Sequence, residues 1–246
     1  DTLPLAVRNA TSKSNQFALK SFSLNNRSGG SAIMGVAGRL QNDSTLWKAG
    51  LWVDATTTFT DDTTDAQDVG AGDFALGTVS VNNDGFCVFC QVPFSLIDVI
   101  VSTAASGGAP AWDMSYTLSG GTWSAAITNP YIAPLFTATG QQLVYWEPWD
   151  DWAVSVAGHG TNVPVGYYGV RIRETTAGTT SPGLATQLIL GVAILGVEGL
   201  ADDSVLSNPN WGDGELAVTP QCDAIAGFSS VANIGNRLSC TYRLKG

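Results

Sequence analysis

Cations are what this sequence has least of. From Ala49 to Val170 it carries no lysine or arginine, against twelve acidic residues. A stretch of that sign repels phosphate, which argues against a nucleic-acid surface there. Charged residues make up only 13% of the chain, so the Glu- and Lys-rich faces of ordinary surface helices are missing. Long apolar runs are missing too. The longest, Leu188–Val197, falls short of the roughly 20 residues of a membrane span and is broken by Gly191 and Gly196. It reads as a strand buried on both faces, and no membrane partner is expected. There is one histidine, His159, and no Gly-x-Ser-x-Gly elbow, which argues against a triad hydrolase. Cysteine is sparse as well. Cys87 and Cys90 have half of a zinc-ribbon spacing, but Cys222 and Cys240 stand eighteen apart instead of forming a second close pair. Positions three apart on a strand also point to opposite faces. A Cys222–Cys240 disulfide and buried thiols both stay open.

What is present is a 44% hydrophobic content, spread through many short runs between turn signals. Strand candidates are Ala32–Leu40, Leu46–Val53, Phe74–Val81 with Gly85–Val92 as a hairpin, and Phe94–Thr103. A second hairpin joins Met114–Leu118 to Thr122–Ile127 across Gly120-Gly121, and Glu215–Thr219 and Leu238–Leu244 follow near the end. No stretch predicts a helix. The expected fold is all-β, a β-sandwich or jelly-roll-like body with an extended N-terminal arm and a C-terminal β extension. The arm covers residues 1–30, the body 31–180, and the C-terminal β segment packed on it 181–246. The arm holds few apolar anchors and ends in Gly29-Gly30, so it is expected to order on a partner.

The chain is organised around Gln141 to Glu174. Two strand-like runs, Gln142–Glu147 and Tyr167–Glu174, flank a loop with Trp149, Trp152 and His159. Pro148 and the Asp150-Asp151 pair favour a turn there. In the second run Tyr168, Val170 and Ile172 alternate with Arg171 and Arg173, which predicts the apolar set in the core and both arginines outside. The loop reads as the hinge of a sandwich.

Three constellations could carry chemistry. Asp61, Asp62, Asp65 and Asp68 form a dense acidic loop that could supply calcium's oxygen ligands, though without EF-hand spacing. The other reading is a solvated turn whose carboxylates bond the backbone. Glu147 with Asp150 or Asp151, dressed by Trp146, Trp149 and Trp152, has the residue types of a sugar site, for hydrolysis or for binding by stacking. The same tryptophans could simply close the end of the sandwich. Finally, residues 1–48 carry six cations against Asp1 and Asp43, a +4 segment beside the −12 of residues 49–170, with −2 in the remainder and −10 overall. That separation suits docking between copies or on a neighbour, with Arg8, Lys13, Lys20 and Arg27 as contact residues.

The order FTDDTTDAQD (59–68), Phe94–Thr103, MSYTLSGGTW (114–123), PWDDW (148–152) and YGVRIR (168–173) resembles a β-rich segment of tailed-bacteriophage virion structural proteins, such as capsid decoration proteins and head or tail fibres. The resemblance covers roughly residues 45–180. It implies a non-enzymatic protein on the outer surface of a virion, a homo-oligomer (dimer or trimer) whose partners are the major capsid protein or other virion proteins. It brings no catalytic residue and no cofactor. A fibre or receptor-binding module that holds host glycans through exposed Trp149 and Trp152 is the alternative.

Overall fold

The computed structural model describes residues 7–8, 16–25, 32–70, 73–78, 83–107, 111–127, 136–175, 181–200, 205–208, 216–217, 222–229 and 237–245. The described residues are all-β, with paired strands antiparallel throughout apart from one isolated bridge. They form two compact units, one of residues 1–41 and 190–246, the other of residues 42–189.

In the first unit Ala32–Leu40 lies between Cys222–Ser229 and the second part of the long strand Leu184–Leu200, with Val7–Arg8 beyond Cys222–Ser229. A second sheet is built on Gln16–Asn25, which pairs along its whole length with Arg237–Lys245. Val205–Asn208 and Leu216–Ala217 pair with the same strand. Residues 16–25, expected to extend as an arm, thus have their backbone bonds met within this chain. The register against Arg237–Lys245 steps by one residue at Lys20. The division of the chain falls after Gln41 and Ile189, later than the expected 30 and 180.

The second unit holds two sheets. The larger runs Thr122–Trp123, Trp112–Leu118, Tyr168–Glu174, Gly85–Cys90, Trp47–Val53, Thr58–Asp61. In the other, Leu96–Thr103 lies between Gly140–Tyr145 and the start of Leu184–Leu200, whose Leu184 and Ala185 also pair with Phe74–Ala75. The expected hairpin of Phe74–Val81 with Gly85–Val92 is therefore corrected. Gly85–Cys90 is instead a central strand, flanked on both sides and buried at all six positions. Gly85 permits this, since a Cβ there would lie 2.0 Å from the Ile172 carbonyl oxygen. The hairpin across Gly120-Gly121 forms as expected, with both glycines at φ +84°.

One face of Gly85–Cys90 packs Phe86 edge-on to Phe74 and Phe136, and Phe136 edge-on to Trp112. The opposite face is covered as well, by a buried cluster of Trp52, Phe59, Cys87, Phe89 and Val163 with Trp123 and Tyr167 against it. Cys87, Cys90 and Cys222 are buried thiols, and burial pushes the Cys87 thiol far up. One short helix, Thr63–Gln67, interrupts the acidic loop where no helix was expected. Leu188, Leu190 and Gly191 are buried on their strand, and the side chains from 193 to 197 lie outside the described residues.

Candidate interaction surface

The stretch 140–174 passes from one sheet of the second unit to the other. Gly140–Tyr145 pairs with Leu96–Thr103, and Tyr168–Glu174 lies between Trp112–Leu118 and Gly85–Cys90. The loop between them is held at several points. The Trp146 N–H donates to the Ser95 carbonyl (3.0 Å), Trp152 Nε1 to the Gly169 carbonyl (3.1 Å), and the Ala153 N–H to the Thr117 carbonyl (3.0 Å). Ser155 then zips the two limbs together. Its N–H donates to the Tyr167 carbonyl, its carbonyl accepts the Gly166 N–H, and its hydroxyl donates to the Pro164 carbonyl while accepting the Tyr167 N–H.

Trp152, expected to be an exposed contact residue, is corrected by this geometry: it is 8% exposed, packed among Phe94, Trp146 and Tyr168. Trp149 is half-buried. Its ring stacks on Tyr116 at 4.0 Å and 4° and lies parallel to Trp146 at 5.7 Å. The Tyr116 hydroxyl donates to the Asp151 carboxylate at 2.6 Å, and that bond pushes the phenol up to about 12. Glu147, Pro148, Asp150 and Asp151 are exposed around the ring.

On the other side of Tyr168–Glu174 lies a buried charge network. Arg171, expected outside, is 7% exposed. Its guanidinium sits over Trp52 (5.1 Å) and Trp123 (4.5 Å), donates through Nε to Ser115 Oγ (3.1 Å) and reaches Asp54 at 3.8 Å. The alternation read from sequence is right, since Val170 and Ile172 are buried opposite it. What sequence could not show is that the second face is covered too. Arg173, half-buried, forms a fork with Asp113 (Nε to Oδ1 3.1 Å, Nη2 to Oδ2 2.9 Å) and reaches Asp54 at 3.5 Å. Burial and the neighbouring Arg173 pull Arg171 down to about 10. Buried Asp84 ties this corner down, accepting the Asp54 N–H (2.8 Å) and the Thr78 hydroxyl. His159 is buried against the edge of Trp123, its Nδ1 accepting the Val156 N–H at 3.0 Å.

The acidic loop binds itself. Asp61 accepts from the Thr63 N–H (3.0 Å) and hydroxyl and pairs with Lys48 at 3.0 Å. Burial raises its carboxyl, but those bonds outweigh it and hold the group below its ordinary value. Asp62 is raised, by burial and then by Asp65 and Asp61. Asp68 accepts the Gly70 N–H at 3.1 Å. Asp61 and Asp68 thus bond their own loop, and among the described residues no group of three or more His, Cys, Asp or Glu is placed to hold a metal ion. Arg8 and Lys20 lie on paired strands, without a described side chain, and Lys13 and Arg27 lie outside the described residues.

The chain matches no protein-family model, no curated protein and no solved structure. No helix among the described residues is long and apolar enough to cross a membrane.

Sequence reasoning missed Asp98, fully buried on Leu96–Thr103, with one carboxylate oxygen accepting from Gln141 Nε2 and the other without a partner. Burial pushes it up to about 7. A lone acid inside the apolar run Leu-Ile-Asp-Val-Ile-Val was the available signal.

Proposed function

We propose that this chain is a non-enzymatic virion structural protein, a capsid decoration or cement protein that attaches to the outer surface of the major capsid shell. The observation that carries the reading is how the second unit handles its charge. It has fourteen acidic residues against three cations, a net −11, whereas the first unit has eight cations against seven acids. All three cations of the acidic unit are ion-paired with its own carboxylates: Lys48 with Asp61, Arg171 with Asp54, and Arg173 with Asp54 and Asp113. Its exterior is left acidic, a surface that suits a basic protein lattice and repels phosphate. The buried His159 and the self-bonded acidic loop are consistent with a role in contact rather than turnover.

Purified protein mixed with undecorated shells should bind in a countable number of copies by electron microscopy. Raising salt should remove part of that binding, since exposed charges are screened beyond about 8 Å at physiological ionic strength. A fibre module that recognises host glycans is the second reading, favoured by the half-exposed Trp149 ring; Trp152 does not contribute to it. No binding to any shell, together with saturable glycan binding lost in Trp149→Ala, overturns the decoration reading in favour of this one.

A further inference from the structure

Among the described residues four large apolar side chains are exposed, and three of them, Val154 (40%), Val156 (39%) and Val165 (62%), lie within twelve residues of one another on the two limbs zipped by Ser155. The same loop carries the half-buried Trp149, with Glu147, Asp150 and Asp151 exposed beside it. This is the composition of a protein contact surface, an aromatic anchor and apolar side chains with a charged rim. The loop is also already ordered by its own hydrogen bonds, so little freedom is lost on docking. Cations that could answer the rim are missing from this unit, because Lys48, Arg171 and Arg173 are each held by its own carboxylates. The chain has cations elsewhere. Residues 1–30 carry Arg8, Lys13, Lys20 and Arg27 against Asp1 alone.

We infer that the loop spanning Trp146 to Gly166 is a self-association surface, and that its occupant is the basic N-terminal segment of a second copy of this chain. The valines and Trp149 supply apolar contact, and Glu147, Asp150 and Asp151 orient the cations. A head-to-tail contact of this kind joins different patches on the two copies, so it generates a ring if the rotation closes. The contact is independent of shell attachment, and its test uses no shell.

Full-length protein is examined by sedimentation over a range of concentrations. Self-association should weaken about tenfold in Trp149→Ala and in Val165→Glu, as for truncation of a central contact. Asp150→Lys and added salt should weaken it as well. Val165 is well exposed, so Val165→Glu keeps the fold even if Trp149→Ala does not. Carbodiimide crosslinking of a mixture of light and heavy-isotope protein should join Glu147, Asp150 or Asp151 to Lys13 or Lys20 between unlike copies. A protein that is monomeric throughout overturns the inference. So do crosslinks formed only within single chains, which would place the basic segment on its own loop, and so does wild-type association in Val165→Glu.

Discussion

Removing the Arg171 side chain is the sharpest test of how the second unit is built. The guanidinium is 7% exposed, lies against two indole rings, donates to Ser115 and faces Asp54. Arg171→Ala deletes both ring contacts, opens a void beside Trp52 and Trp123, and leaves Asp54 to Arg173 alone. Emptying that buried site, with the lost ring contacts, costs about 2–5 kcal/mol, while Asp54, a third exposed and still paired with Arg173, adds little. For a chain of this length that corresponds to a fall of roughly 10 °C in Tm. Arg171→Met loses the same charge but keeps the bulk between the rings, so it should cost much less, about 1–2 kcal/mol. Seven of the eight tryptophans lie in the second unit, so urea unfolding followed by tryptophan fluorescence reports on it directly. Arg171→Ala within 0.5 kcal/mol of wild type, roughly the size of an ordinary surface change, would refute a buried, ring-sandwiched arginine.

Three further outcomes are expected. Asp98 holds its proton up to about pH 7 when folded, against the ordinary aspartate value of 3.8 when unfolded, so the folded state binds more protons in that window and stability falls as pH rises through it. The loss amounts to about 4 kcal/mol in all, and Asp98→Asn should flatten the dependence of unfolding free energy on pH between 4 and 8; an unchanged slope counts against a buried carboxyl. Val170→Asp should cost several kcal/mol by chemical denaturation, since Val170 is 1% exposed in an apolar layer, and a change under 1 kcal/mol would mean the strand register is wrong. In a spectrophotometric titration one tyrosine should ionise near pH 12 and vanish in Tyr116→Phe, which loses about 1 kcal/mol with the bond to Asp151.

Period-two patterns made much of this fold legible. Ala32–Leu40 was read at its observed bounds, and Trp47–Val53, Tyr168–Glu174 and Arg237–Lys245 within a residue or two. The Gly120-Gly121 turn was readable because positive φ leaves glycine little competition. Pairing partners were harder. Phe74–Ala75 joins a strand more than a hundred residues away, and no local turn signal encodes that. Gln16–Asn25 looked unanchored because its partners lie beyond residue 200. For the same reason the site was only half legible. Arg171 alternates correctly, but its burial is decided by Trp52 and Trp123, each far away in sequence. Trp152 and Trp149 are indistinguishable as letters, three residues apart, and only the turn between them sends one inward and leaves the other at the surface.

The glycine turn at the hairpin tip has a practical side. A Cβ on Gly121 would stand 2.8 Å from the Gly158 Cα, so the hairpin and the loop meet backbone to backbone. Any side chain at either position has to be matched by retreat of the other segment, which ties these two distant sites to a shared fate under mutation. Gly140 is the opposite case in space: it is exposed and a Cβ there would meet nothing within 4 Å, although its φ of +101° reserves the position itself for glycine. A foreign epitope or affinity tag grafted beside Gly140 should be carried without disturbing the tryptophan loop, whereas the same graft at Gly121 should pry it open.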